Sequence, residues 1–172
     1  SHWAEAKIKQ AVKAGFVSGY ADGTFRPNRT VTRAEFAVML MRALKPQGAN
    51  PELAFTDTAQ IGSWARQAIA QAVQAGIVQG FRDGSFRPNA EITRAEMAVM
   101  IFNALGKPID ANAATRFADD KDIPQWAKGA VAVLQQLGFV AGTNANEFKP
   151  LGKTTRAEAV TVLLNLLEAK AR

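Results

Sequence analysis

The sequence predicts an all-α protein in which three helix-loop-helix repeats pack as one pseudo-threefold body around a central helical core. The first observation is a four-residue phrase that occurs as Thr32-Arg33-Ala34-Glu35, Thr93-Arg94-Ala95-Glu96 and Thr155-Arg156-Ala157-Glu158, so that successive copies begin 61 and 62 residues apart. The second is a tryptophan that precedes each copy by 29 residues, at Trp3, Trp64 and Trp126. A unit that returns at a regular spacing is typical of a repeat protein.

We divide the chain into a first repeat at residues 1–48, a second at 49–110 and a third at 111–172. Repeats two and three carry Phe55-Thr56-Asp57 and Phe117-Ala118-Asp119 nine residues before their tryptophans, whereas two residues precede Trp3. We therefore expect the first repeat to be trimmed at its N-terminus. Because a lone unit of about 60 residues is only marginally stable, we expect the three units to share one core.

The composition excludes several classes of protein. Of 172 residues, 48% are hydrophobic, which is enough for a core, but no apolar run reaches the length of a membrane span, so we expect no membrane insertion. The chain has no cysteine and a single histidine, His2, and shows no nucleophile or metal-ligand pattern. We therefore predict no enzyme, no metal and no cofactor. A formal net charge of +6 favours an anionic partner.

Each first helix is predicted to begin near its tryptophan and to end at a glycine, Gly15, Gly76 or Gly138, in the left-handed conformation of a C-terminal cap. In repeat two the predicted apolar stripe combines Trp64, Ala68, Ile69, Ala72 and Val73 at spacings of three and four. The counterparts are Trp3, Ile8, Ala11 and Val12 in repeat one and Trp126, Ala130, Val131 and Leu134 in repeat three.

The loop of each repeat is predicted to reverse in a tight turn, at Asp22-Gly23 and at Asp83-Gly84. Repeat three has Ala145-Asn146 at this point, and we expect the turn to survive because asparagine tolerates the same backbone conformation. A proline in each repeat then stiffens the approach to the second helix: Pro27, Pro88 and Pro150.

The second helix begins at the repeated phrase. Threonine and a glutamate three residues later predict a capping box, in which each side chain bonds to the backbone N–H of the other residue. An apolar stripe follows in every repeat, so we expect the second helices to form the centre of the body. In repeat one that stripe is Phe36, Met39, Leu40, Ala43 and Leu44.

Arginine is the residue of the phrase that lacks a local role, because a cation in the first turn opposes the helix dipole. A guanidinium beside the N–H groups of a helix N-terminus suits a carboxylate or a phosphate. Arg33, Arg94 and Arg156 are therefore candidate ligand contacts. The alternative is an ion pair with a neighbouring carboxylate such as Asp57 or Asp119.

Tryptophan and a loop glycine are further candidates in each repeat. Trp3, Trp64 and Trp126 either pack in the core or offer a half-buried ring to the face of a sugar. Gly19, Gly80 and Gly142 either permit a positive φ or let a ligand approach the main chain. The sequence leaves both pairs of alternatives open.

With a tryptophan, a glycine, the segment Asp-Gly-Thr-Phe-Arg-Pro at 22–27 and the phrase Thr-Arg-Ala-Glu in series, the unit resembles the S-layer homology module. Three units in tandem resemble the anchoring trimer of that family. The resemblance implies a non-catalytic, extracellular module that attaches a larger surface protein to the secondary cell wall polysaccharide of a Gram-positive bacterium. It also implies binding in grooves between repeats, to a terminal N-acetylmannosamine that carries a pyruvate ketal.

Carried over by position, the resemblance implies that Arg33, Arg94 and Arg156 face the pyruvate carboxylate. The three tryptophans and the glycines Gly19, Gly80 and Gly142 would line the sugar. The third repeat departs from the pattern, because its loop loses Asp-Gly and gains an acid, with Thr143, Ala145, Asn146 and Glu147. We expect its groove to be the weakest.

Two other functions are compatible with a basic helical repeat, namely binding to a nucleic acid or to a protein partner. The basic residues are scattered, and the arginines begin helices instead of lining one exposed recognition face, which argues against a nucleic acid. Competition by free wall polymer would separate a protein partner from a glycan.

Overall fold

The computed structural model describes residues 2–20, 22–46, 52–109 and 112–172. In these ranges the chain forms six α-helices and no sheet, which confirms the all-α class. Two short 3₁₀ turns, Thr58–Gln60 and Asp120–Asp122, precede the first helices of repeats two and three. The helices are α1 (Glu5–Ala14), α2 (Arg33–Leu44), α3 (Ser63–Gln74), α4 (Arg94–Leu105), α5 (Gln125–Gln136) and α6 (Arg156–Lys170).

The predicted capping box begins each second helix. In α2 the Glu35 N–H donates to the Thr32 hydroxyl at 3.0 Å, and the Thr32 N–H donates to a Glu35 carboxylate oxygen at 2.8 Å. The same reciprocal pair opens α4 and α6. The prediction is therefore confirmed in all three repeats.

The ends of the first helices also follow the prediction. Gly15, Gly76 and Gly138 have φ angles of 86°, 75° and 75°, in the left-handed region where a side chain is strained. The tight loop turn survives without glycine in repeat three, because Asn146 adopts a φ of 56° where Gly23 and Gly84 have 83° and 82°.

The second helices lie at the centre, as expected, and supply about half of the buried hydrophobic residues. Nine of the twelve residues of α2 are buried, and α2 and α4 both pack against α6. The first helices are buried on a narrower face than the stripe predicted, since Ile69 and Ala72 are buried but Trp64 and Val73 are exposed. The assignment of tryptophan and the final valine to the apolar stripe was therefore wrong.

The three repeats contact one another in a closed cycle. Helix α2 packs on α3 of the next repeat, α4 packs on α5, and α6 returns to α1. At the centre, backbone hydrogen bonds run around the same cycle: Val31 N–H to Thr154 O (3.0 Å), Thr154 N–H to Ile92 O (3.0 Å) and Ile92 N–H to Val31 O (2.9 Å). A rotation near 120° between repeats, and the repeat boundaries themselves, stay predictions.

Candidate ligand-binding grooves

The arginine of each phrase reaches across to the loop of another repeat. Its Nε donates to the backbone carbonyl of the phenylalanine that precedes the loop's basic residue and proline. These bonds join Arg33 to Phe86 (2.9 Å), Arg94 to Phe148 (2.7 Å) and Arg156 to Phe25 (3.0 Å). Each arginine therefore links its own repeat to the loop of another repeat, a role that its position in the sequence did not predict.

In the first two repeats the arginine forms an ion pair with the glutamate of the following Thr-Arg-Ala-Glu phrase, and not with the expected aspartate. Arg33 Nη1 lies 3.4 Å from a Glu96 carboxylate oxygen, and Arg94 pairs with Glu158. The predicted partner Asp57 instead accepts the N–H groups of Phe86 and Arg87 at 2.9 and 2.8 Å. Asp119 does the same for the loop of repeat three. The ion-pair alternative is thus confirmed for Arg33 and Arg94, but with glutamate as the partner instead of aspartate.

The third arginine differs from the other two. Arg156 forms no ion pair among the described residues, and its Nη2 donates to the Ser18 carbonyl at 2.7 Å. Burial lowers the pKa of Arg156, and the nearby Tyr20 and Glu35 oppose that effect. Burial is also the main cause that lowers the pKa of Arg33 and of Arg94. A guanidinium starts from so high a pKa that all three stay charged.

The N–H groups at these helix N-termini are already engaged. The N–H of Arg33 donates to the Ala90 carbonyl at 2.9 Å, and the N–H of Ala34 donates to the Pro88 carbonyl at 3.1 Å. The capping threonine takes the next N–H, and the equivalent bonds form at α4 and α6. The expectation that free backbone donors help to hold an anion is therefore wrong, and the guanidinium remains as the positive group.

All three tryptophans are exposed, with 69% of Trp3, 58% of Trp64 and 59% of Trp126 accessible to solvent. The core-packing alternative is therefore wrong. Each ring lies at the edge of a groove whose other walls come from the other two repeats. The rings are placed where an amphipathic aromatic surface can meet a ligand.

We number the three grooves by the repeat that supplies their loop. Groove 1 contains residues 16–18, Glu35, Arg156 and Trp64, with a volume of about 160 Å³. Groove 2 contains residues 77–82, Glu96, Arg33 and Trp126, and encloses about 600 Å³. Groove 3 contains residues 138–142, Glu158, Arg94 and Trp3, and encloses about 460 Å³. Every groove thus takes its tryptophan, its arginine and its glutamate from three different repeats.

The loop glycines are needed by the loop itself. A Cβ added at Gly19 would lie 3.0 Å from the Thr24 carbonyl oxygen, and one at Gly80 would lie 2.9 Å from the Ser85 carbonyl oxygen. Gly80 has a φ of 84°, whereas Gly19 and Gly142 do not need a positive φ. Gly80 and Gly142 line grooves 2 and 3, and Ser18 takes that place in groove 1 instead of Gly19.

Sequence reasoning missed one position that lines all three grooves. It lies on the second helix, about two turns after the glutamate of the capping box, and is Arg42 in groove 1, Asn103 in groove 2 and Asn165 in groove 3. A polar residue on an otherwise apolar helix was the available signal. No group of three or more His, Asp or Glu side chains in the described part of the chain could hold a metal ion.

Comparison with known proteins identifies the family. The model of the S-layer homology domain matches residues 1–37, 54–98 and 116–160. An amylopullulanase of Thermoanaerobacterium thermosulfurigenes is 40% identical over 97% of this chain and 9% of its own length. Exoglucanase XynX of Acetivibrio thermocellus is 40% identical over 97% of this chain and 16% of its own length. An S-layer protein of Bacillus thuringiensis subsp. finitimus is 34% identical over 92% of this chain and 19% of its own length.

Fold and grooves together define a helical repeat module whose grooves are formed jointly by its three repeats. The chain belongs to the S-layer homology family, as three tandem modules. It is a non-catalytic module that anchors a protein at the cell wall, on the surface of Gram-positive bacteria. The chain spans less than a fifth of the length of the relatives named above. None of the described helices meets the length and hydropathy of a membrane span.

Proposed function

We propose that this module anchors a larger surface protein by binding anionic secondary cell wall polysaccharide in its grooves, and that the anionic unit is a terminal pyruvylated N-acetylmannosamine. The observation that carries this proposal is the pairing, in every groove, of a buried or half-buried arginine with an exposed tryptophan. The proposed site residues are Arg33, Arg94, Arg156, Trp3, Trp64, Trp126, Gly19, Gly80 and Gly142.

The guanidinium groups of grooves 1 and 2 have N–H donors that are available to a ligand. Arg33 uses Nε and Nη1, and Arg156 uses Nε and Nη2, so one terminal nitrogen of each has no acceptor among the described residues. A ligand carboxylate that reached this nitrogen would form a charge-assisted hydrogen bond. Because Arg33 is only 6% exposed, that bond would form where water screens it weakly.

The tryptophan supplies the second half of recognition. A pyranose ring has an apolar face of C–H groups, and an exposed indole offers a flat apolar surface on which that face can stack. The arginine would select for the carboxylate, and the tryptophan would select for the sugar that carries it. Several weak sites along one polymer would then add by avidity.

Nucleic acid is not favoured by this geometry. The cation that all three grooves share is the arginine of the repeated phrase, which the protein itself already bonds through Nε, and the three arginines lie in separate grooves instead of on one open basic face. Binding driven by many phosphate contacts weakens steeply with salt. A complex that survives a rise in salt concentration would therefore support the glycan.

The test is calorimetric titration of the 172-residue chain with wall-polymer fragments, before and after mild acid removes the pyruvate ketal. We expect removal of the ketal to weaken binding about tenfold or more, because it removes a charge-assisted hydrogen bond. Trp126→Ala should weaken binding to the intact polymer, and Leu151→Ala should not, because Leu151 is an exposed apolar residue outside the three grooves. Equal affinity for both forms of the polymer would refute carboxylate recognition.

Tryptophan variants are preferable to arginine variants in this test. Removing Arg33 would leave the Phe86 carbonyl and the Glu96 carboxylate without their partner at the junction of two repeats. Loss of one partner of a buried ion pair destabilises a protein by about 3–5 kcal/mol. An Arg33→Ala variant would then lose binding for a structural reason.

A further inference from the structure

Groove 3 differs from the other two in the number of guanidinium nitrogens that the protein itself engages. Arg94 donates from Nε to the Phe148 carbonyl and from Nη2 to the Ala141 carbonyl at 3.2 Å, and its Nη1 pairs with Glu158. Every nitrogen of this guanidinium therefore has a protein acceptor. Glu158 occupies the terminal nitrogen that has no acceptor in Arg156, so a ligand carboxylate at that nitrogen would lie beside a carboxylate of the same charge.

The net charge of the residues that line each groove also makes groove 3 the least suited to an anion. Groove 1 is lined by Arg42 in addition to Arg156 and Glu35, and groove 2 by Arg82 in addition to Arg33 and Glu96, so each has one cation in excess. The charged residues that line groove 3 are Arg94 and Glu158, whose charges cancel. A groove without excess charge does not favour an anion over a neutral ligand.

Groove 3 compensates with uncharged polar groups. Thr161 stands where grooves 1 and 2 have Val38 and Val99, and its hydroxyl donates to the Ala157 carbonyl at 2.9 Å, which leaves the oxygen able to accept. The half-buried amide of Asn165 has no hydrogen-bond partner in the part of the chain that the structure describes. Both groups lie in the same groove as the exposed ring of Trp3.

We propose that groove 3 binds an uncharged saccharide residue within the polymer, while grooves 1 and 2 bind the anionic residue. The Trp3 ring would stack on the sugar, and the Asn165 amide and the Thr161 oxygen would bond its hydroxyl or acetamido groups. A volume of about 460 Å³ accommodates a sugar ring. This inference rests on the proposed function for the nature of the polymer, and it gives the third groove a ligand of its own.

The three tryptophans provide one reporter for each groove. Their indole N–H signals in the ¹H–¹⁵N spectrum of the intact chain are assigned with the single variants Trp3→Phe, Trp64→Phe and Trp126→Phe. Polymer fragments freed of the ketal should shift the Trp3 signal and leave the Trp64 and Trp126 signals in place. Intact fragments should shift all three. An unmoved Trp3 signal with ketal-free polymer overturns this inference.

A charge variant tests the reason for the difference. Glu158→Gln retains an oxygen for the capping box and removes the anion that occupies Arg94. The methyl glycoside of N-acetylmannosamine bearing the pyruvate ketal should not shift the Trp3 signal of the unchanged protein and should shift it in Glu158→Gln. The matched control is Glu147→Gln, which removes the same charge from the loop of repeat three without freeing Arg94.

The outcomes separate this inference from the proposed function. If the pyruvylated glycoside shifts the Trp3 signal of the unchanged protein as strongly as the Trp126 signal, groove 3 is an anion site and the inference fails while the proposed function stands. If no tryptophan signal responds to that glycoside or to intact polymer, the proposed function fails. Failure of Glu158→Gln to create a ketal-dependent shift also overturns the inference, because it removes the charge argument.

Discussion

Val31, Ile92 and Thr154 occupy equivalent positions in the three repeats, and their backbones form the central cycle of hydrogen bonds. Two of these side chains are aliphatic, and the third carries a hydroxyl. The Thr154 hydroxyl oxygen is fully buried and has no hydrogen-bond partner among the described residues. A buried polar group without a partner costs free energy, because it gives up its hydrogen bonds to water on folding.

We predict that Thr154→Val raises the free energy of unfolding by about 1 kcal/mol, since a buried unsatisfied polar group costs about 1–3 kcal/mol and valine has nearly the same shape. Urea unfolding followed by circular dichroism measures the change. The matched control is Val31→Thr, which places the same hydroxyl in an equivalent position and should lower stability. A Thr154→Val protein that is no more stable than the unchanged chain contradicts the prediction.

Among the elements, those governed by local geometry were predictable. The capping box joins residues three apart, so Thr93 and Glu96 reveal it in the sequence. The ion pair between Arg33 and Glu96 joins residues that lie in different repeats, and periodicity does not report such a contact. The exposure of Trp64 was also hidden, because a helical stripe shows which residues share a face and not where the buried part of that face ends.

The hydrogen bonds of the loop turns predict how the stability of the fold depends on pH. The Asp83 carboxylate accepts the hydroxyl and the N–H of Ser85 at 2.6 and 2.9 Å, and the hydroxyl bond is the main cause that holds its pKa below the ordinary 3.8. A carboxylate with a lowered pKa in the folded state stabilises the fold above its unfolded pKa. That contribution is lost as the pH falls through the folded value, so it disappears in strong acid.

We therefore expect the midpoint of thermal unfolding to fall as the pH is lowered below about 4, and to fall less steeply in Asp83→Asn, whose amide oxygen can still accept from Ser85. Scanning calorimetry at several pH values measures both slopes. Asp122→Asn, a change at an exposed aspartate outside the loop, is the control and should keep the original slope. Equal slopes in Asp83→Asn and the unchanged protein contradict the assignment.

At the scale of the whole molecule, the grooves depend on the closure of the ring. Groove 2 needs Arg33 from repeat one and Trp126 from repeat three beside its own loop. The contact that closes the ring joins α6 to α1 and Thr154 to Val31, which are far apart in the sequence. Removing any repeat therefore takes a wall from all three grooves at once, and it opens the core as well.

We predict that a chain of residues 1–110 loses all binding to wall polymer and unfolds without a cooperative transition. Its second helices would expose the face that α6 covers in the whole chain. Circular dichroism and calorimetric titration, with the 172-residue chain as the reference, test both parts. A two-repeat chain that unfolds cooperatively and binds polymer as a monomer would contradict the prediction.

The sharing of each groove among three repeats also bears on how such a module diversifies. Duplication of one repeat copies a tryptophan, an arginine and a glutamate, yet no single copy contains a site. The second repeat, for example, supplies the tryptophan of groove 1, the loop of groove 2 and the arginine of groove 3. The unit of inheritance is the repeat and the unit of recognition is the groove, so duplication of a changed repeat places its tryptophan, its loop and its arginine in three different grooves.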